Sequence, residues 1–264
     1  MAPLLIVLYL GGWFLWAAAL LIAIMGLQEF YKGWNNLDVH PSKEIGYIMT
    51  VLLFVTAIPY GSSESTVPPF YRNMTTICIW MFIAVAAGMI YGWKIDRRGT
   101  YDAAATVTGL VYIPFFTSHM VLIDMTEYSL FIWIVVIAAF GSDIFAYFTG
   151  YFLGKHKMAP NLSPKKTIEG AVGELVGSSL LSWLFGFIFM RDMALVCLVL
   201  GLLGGAAGMA GDLTASMFKR KMGIKDYGTL IPGHGGIMDR FDSVIFVAPV
   251  VYYAICALTG ILNI

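Results

Sequence analysis

The sequence predicts an all-α protein: a polytopic transmembrane bundle of about eight to nine helices, with a polar cavity opening on one membrane face. Three observations carry that prediction. The 264-residue chain is 59% hydrophobic and only 12% charged, where soluble domains run at roughly 45–50% and 25%; its mean hydropathy is +0.80. Its apolar residues gather into runs that approach the roughly 20 residues a spanning helix requires. The cations between those runs fall almost entirely in alternate connections.

In chain order, spans are expected near 11–30, 45–60, 74–93, 103–123, 129–153, 168–190, 193–217 and 243–263. Residues 2–10 are apolar but too short to cross upright, and Gly11 and Gly12 separate them from the first span. No basic stretch of the kind that opens a signal peptide precedes them, so they read as part of the mature protein. The spans leave no room for a soluble domain. The expected organisation is a single integral membrane domain over 1–264, with 1–125 packing and facing lipid and 129–264 carrying the chemistry.

The connections sort by charge. Segments 31–44, 94–102, 154–167 and 218–242 hold Lys32, Lys43, Lys94, Arg97, Arg98, Lys155, Lys157, Lys165, Lys166, Lys219, Arg220, Lys221, Lys225 and Arg240, fourteen of the sixteen Lys and Arg residues. The other set holds Arg72 and Arg191. Such a bias predicts that the cation-rich side is cytoplasmic. A net charge of zero offers no bulk attraction to nucleic acid. Cys78, Cys197 and Cys256 sit in apolar runs without metal or redox spacing and read as small buried hydrophobes. No Walker-type loop, HExxH or GxSxG occurs, and His40, His119, His156 and His234 lie far apart.

Carboxylates supply the next signal. Asp143, Glu169, Glu174 and Asp212 fall within or at the ends of apolar helices, all in the cytoplasmic half. Charge there is expensive and faces a polar cavity or a partner. Asp124 and Glu127, in a short turn on the other side, read as solvated. The run 201–211, GLLGGAAGMAG, fits close helix packing and also makes room for a head group beside Asp212; its small faces are compatible with a homodimer.

Residues 216–242 concentrate charge at the membrane boundary: Lys219, Arg220, Lys221, Lys225, Asp226, Asp239, Arg240 and Asp242. Carboxylates beside cations suggest metal ions and phosphates. Asp239 and Asp242, three apart, share a face if a helix starts near Met238. Together with Asp143 and Asp212 they offer the hard oxygens Mg²⁺ uses alongside phosphate; neutralisation by Arg220 and Arg240 is the alternative. Within 231–236, Pro232, Gly233, Gly235 and Gly236 preclude a stable helix and leave backbone N–H groups for phosphate oxygens. His234 either donates to a phosphate or braces the loop. In 163–170, Ser163-Pro164 reads as a helix cap followed by proline, or Thr167 caps with Glu169 in the first turn; either way Lys165 and Lys166 sit at a helix start, as a phosphate clamp or as solvated boundary residues. Asp143 and Tyr147 share a face, i to i+4.

Taken together, Ser216-x-x-Lys219-Arg220-x4-Lys225-Asp226-x-Gly228-x3-Pro232-x-His234-Gly235-Gly236-x2-Asp239-Arg240-x-Asp242 resembles the signature of the phosphatidate cytidylyltransferase (CDP-diacylglycerol synthase) family. Asp143-x-x-Ala146-Tyr147-x-x-Gly150 and Ser163-Pro164-Lys165-Lys166-Thr167-x-Glu169-Gly170 resemble the family too, with Ile144 where members often carry Thr. The specific motifs cover roughly 140–245. The resemblance implies that CTP and phosphatidic acid give CDP-diacylglycerol and pyrophosphate, in membrane lipid, with Mg²⁺ and optionally a monovalent cation such as K⁺. It points to Lys219, Arg220, Lys225, Asp226, His234 and Arg240 as catalytic residues. It points to Ser163, Lys165, Lys166, Thr167, Gly233, Gly235 and Gly236 as phosphate-binding, and to Asp143, Asp212, Asp239 and Asp242 as metal-binding. The competing readings are a CTP-dependent polyprenol or phytol kinase and a cation-coupled transporter. The transporter reading is disfavoured by carboxylates confined to one membrane side and by the lack of an inverted repeat.

Overall fold

The computed structural model describes residues 2–57, 74–93, 98–229 and 235–259. Among them are nine helices: α1 (Ala2–Leu10), α2 (Gly12–Trp34), α3 (Lys43–Thr56), α4 (Met74–Tyr91), α5 (Thr100–Asp124), α6 (Ser129–Leu153), α7 (Ile168–Phe189), α8 (Ala194–Lys221) and α9 (Met238–Thr259). Six helical stretches are long and apolar enough to cross a membrane. The protein is an all-α, multi-pass integral membrane protein.

Several boundaries differ from expectation. The span expected at 45–60 stops as helix at Thr56, only 14 residues long, and its far end lies outside the described residues, as do 260–263 of the last span. The last helix starts at Met238, five residues early. Helix α8 runs 28 residues, about 42 Å at 1.5 Å per residue. That exceeds the roughly 30 Å hydrocarbon core, so its length accounts for Lys219, Arg220 and Lys221 in its last turn.

The chain forms two compact units, Met1–Ser129 with Lys221–Arg240, and Leu130–Arg220 with Phe241–Ile264. In the first unit, Ala19, Ala23, Phe54 and Val121 form an apolar cluster, and Trp80 Nε1 ties α4 to α3 through the Met49 carbonyl at 3.1 Å. Helix α5 contains a π turn, Val111–Phe115, around Pro114; a proline without an N–H is accommodated where the ladder widens. Asp124, expected to be solvated, instead accepts a 2.6 Å hydrogen bond from Gly12 N. The reason is backbone geometry: Gly11 and Gly12 have φ of +57° and +50°, which turns the start of α2 toward the end of α5.

In the second unit α6 packs most extensively on α7. A Cβ on Gly170 would lie 3.4 Å from the Gly150 Cα, and one on Gly173 would strike the Thr149 side chain. The glycines of the two upstream motifs thus mark the helix crossing. The small-residue run of α8 is used within the chain as well: a Cβ on Gly201 would meet Ser182 at 2.6 Å, and one on Gly204 would meet Ala138 at 2.7 Å.

Candidate active site

A short hairpin that periodicity did not reveal organises the second unit. β1 (Lys157–Ala159) pairs antiparallel with β2 (Ser163–Thr167). Pro160 and Asn161 favour the turn between them, which closes through Leu162 N to the Ala159 carbonyl at 3.1 Å. Ser163-Pro164 is therefore strand, not a helix cap. Thr167 is the cap of α7, its Oγ1 accepting from Gly170 N at 3.1 Å, as one of the two sequence alternatives had it. Strand geometry sends successive side chains to opposite faces: Lys165 is exposed, while the Lys166 side chain is only 21% exposed.

Lys166 points into a cavity of roughly 400 Å³ lined by Asp143, Tyr147, Lys157, Lys165, Thr167 and Glu174, among others. Its ammonium pairs with Asp212 Oδ2 at 2.6 Å. Burial alone would push this lysine's pKa down; Asp212 first, then Glu174 and Asp143, outweigh it and hold the value above the ordinary one. An ammonium carries three donors, and among the described residues Asp212 is its one ion-pair partner. Asp143, which lines this cavity, follows a π turn of α6, Ile137–Gly141, with Ser142 between them, a device common at functional sites. Ser142 Oγ bonds back to the Ala138 carbonyl at 2.5 Å beside that turn. Glu174, 3% exposed, was noted as an intramembrane charge but given no role; its approach to Lys166 depends on the hairpin.

Asp143 and Glu174 line the cavity beside Lys166, and Lys157 and Lys165 add cations to its wall. No three of the described His, Cys, Asp and Glu residues gather into a metal cage. Mg²⁺ typically takes one or two protein carboxylates and completes its shell with water and phosphate oxygens. The donors Asp143 and Asp212 fit such an ion, shared with a substrate, better than a resident ion held by protein alone.

The other expected site residues fall elsewhere. Ser163 begins β2 and is not among the cavity-lining residues. Arg220 donates from Nε to the Leu162 carbonyl at 3.3 Å, bracing the hairpin turn. Asp242 is buried and accepts from Ser243 N at 2.8 Å. Lys219 lies in the last turn of α8, and Lys225, Asp226 and Arg240 are exposed. In the first unit, Asp239 Oδ2 accepts from both Tyr227 N at 2.7 Å and Gly236 N at 3.0 Å. Gly235 adopts φ +80°, open to glycine at little cost. Gly233 and His234 lie outside the described residues.

The anion-binding end of α9 already meets an anion. Glu29, on α2, accepts from Ile237 N at 3.0 Å and Met238 N at 2.9 Å. Sequence reasoning overlooked it. Its one visible trace is a lone carboxylate near the end of an otherwise apolar run.

Residues 1–258 match the model of the cytidylyltransferase family. A phosphatidate cytidylyltransferase of Synechocystis is 33% identical, over 97% of this chain and 93% of its own length. One from Staphylococcus haemolyticus is 32% identical over 92% and 90%, and one from Bacillus subtilis 34% identical over 64% and 65%.

Proposed function

The chain belongs to the cytidylyltransferase family, and from that membership we propose that it is a phosphatidate cytidylyltransferase, joining CTP and phosphatidic acid into CDP-diacylglycerol and pyrophosphate. The observation that carries this reading is the Lys166 ammonium, set among Asp143, Glu174 and Asp212 in an open cavity. In the proposed reaction a phosphatidate oxygen attacks the α-phosphorus of CTP in line. The bond from that phosphorus to the oxygen bridging to the β-phosphate breaks, and pyrophosphate departs. The attacking oxygen is already anionic near neutral pH, so no strong base is required. The barrier lies in bringing two polyanions together, which positioning and charge neutralisation overcome.

Asp143 and Asp212 would hold Mg²⁺ with phosphate oxygens of CTP, and Asp239 and Asp242 are proposed as further metal-side carboxylates. The ion supplies charge neutralisation for the transferring group; K⁺ is the proposed second cation. Lys165 and Lys166 bind phosphate, and Thr167 fixes the start of α7 beside them. Lys219, Arg220, Lys225 and Arg240 neutralise phosphate charge, while Asp226, His234 and the glycines at 233, 235 and 236 shape the loop. The site faces the cytoplasm, in keeping with the cation-rich connections, and the acyl chains stay in the bilayer.

The test is pyrophosphate release by the purified protein with Mg²⁺, CTP and phosphatidate, each omitted in turn, with the lipid product identified. Pyrophosphate and a CDP-lipid are expected, with release requiring all three components. CDP with a newly phosphorylated lipid would instead assign a kinase, and absence of turnover would overturn the proposal.

A further inference from the structure

The C-terminal half of α2 and the turn after it carry residues that meet Met222, Tyr227 and Met238, those on α2 at the spacing of one helix face. Each contact lies within the first unit. A Cβ on Gly26 would sit 3.8 Å from the Met238 sulfur, and one on Gly33 would sit 2.6 Å from the Met222 sulfur. The Phe30 ring lies 6.2 Å from that of Tyr227. Asn36 Nδ2 donates to the Met222 carbonyl at 3.4 Å. Glu29 is the one ionised residue among these. Its two oxygens take different amides, Oε1 from Ile237 and Oε2 from Met238.

The same carboxylate also abuts the other end of the segment. A Cβ on Gly228 would fall 2.5 Å from Glu29 Oε1, and one on Gly236 would collide with both oxygens. Any side chain at either place would displace the Glu29 carboxylate from its present position. Asp239 makes a parallel link, its Oδ2 joining Tyr227 N on one side to Gly236 N on the other. Two carboxylates, one from a distant helix and one from α9 itself, therefore hold together the two ends of 228–236.

We infer that Glu29 is a positioning residue: it fixes Gly228, Gly236 and the start of α9, and thereby sets where Gly236 and Asp239, proposed to meet phosphate and metal, stand. This rests on the cytidylyl-transfer reading for its catalytic consequence, but not for the clamp itself. Hydrogen bonds from backbone N–H to a charged acceptor are stronger than neutral ones. Glutamine cannot replace the pair, because its single oxygen serves one amide while its NH₂ group faces the other N–H.

The experiment uses the full chain in detergent and in lipid nanodiscs, as wild type, Glu29→Gln and Glu29→Asp. Hydrogen exchange is followed by mass spectrometry and CTP-dependent pyrophosphate release by steady-state kinetics. In Glu29→Gln, exchange across 227–238 should rise at least about tenfold, the scale set by losing a charged acceptor, with exchange in 168–189 unchanged. Its KM for CTP should rise and its kcat fall, and Glu29→Asp, which keeps the charge on a shorter arm, should recover part of both. Unchanged exchange at 227–238 would overturn the clamp. Raised exchange with wild-type kinetics would overturn the positioning role. If wild type itself released no pyrophosphate while exchange rose as stated, the functional reading would fall and the clamp would stand.

Discussion

Charge is handled in opposite ways in the two units. In the unit containing 130–220, Asp212 pairs with Lys166 at the wall of a cavity that Asp143 and Glu174 also line. In the unit containing 221–240, Glu29 and Asp239 direct oxygens at backbone N–H groups and hold chain ends in place. Both uses offset the cost of placing ionised groups in an apolar chain, but the first group borders a cavity while the second closes on backbone amides. A carboxylate in a membrane protein is therefore not a metal ligand by default; what its oxygens already accept decides.

The largest expected effect comes from reversing the balance in the first kind of site. Lys166→Met leaves Asp143, Glu174 and Asp212 without their shared cation. It should lower CTP-dependent pyrophosphate release by about 10²–10³, the scale of removing one preorganised charge-stabilising donor. Lys166→Arg should fall between, since a guanidinium keeps the charge but replaces a compact ammonium with a planar fork. Near-normal turnover in Lys166→Met, measured with the protein monodisperse, would remove the cavity from the reaction.

Asp239 sharpens the comparison because it braces by contact and binds metal by proposal. Both amides reach the same oxygen, Oδ2, so an asparagine carbonyl can keep both bonds while losing the charge. Asp239→Asn should fold normally and lose about 10² in turnover if its charge serves the reaction. Near-wild-type activity across a Mg²⁺ titration would place Asp239 with Glu29, among the residues that only brace.

Much of this was legible in the sequence, and the misses share a cause. The apolar runs, the alternating cations and the charged run at 216–242 are properties of consecutive residues, so they announced the bundle and its family. Lys166 and Asp143 were visible as charges within motifs. The hairpin was not: β2 is five residues containing a proline and two lysines, with no apolar alternation to betray it. Glu29 and Asp124 were missed or misread because their roles come from partners 208 or 209 and 112 positions away. No local pattern encodes such pairings, although glycines stand opposite both carboxylates, at 228 and 236 for Glu29 and at 11 and 12 for Asp124.

Away from the charges, the α6–α7 crossing offers a smaller effect. Gly173→Ala drives a methyl into the Thr149 side chain and should cost about 1–3 kcal/mol, as overpacking does. It should appear as a lower unfolding temperature in detergent. Adding Thr149→Ala, which removes both the hydroxyl and the methyl that crowd the position, should recover part of the loss. No recovery would mean that the strain falls on the backbone.

The smallest effect tests a bracing carboxylate that meets α2 at the end opposite Glu29. Asp124 accepts from Gly12 N where α2 begins. Replacing a helix-start acceptor by alanine typically costs about 1 kcal/mol. Asp124→Ala should therefore lower the unfolding temperature slightly and leave kcat and KM for CTP unchanged. Asp124→Asn, which keeps an oxygen for the amide, should lose less. If Asn were as damaging as Ala, the charge rather than the acceptor would be stabilising the start of α2, through attraction to the positive end of its dipole. Bracing carboxylates would then act by field as well as by contact, and the line drawn between the two units would have to rest on where that field points.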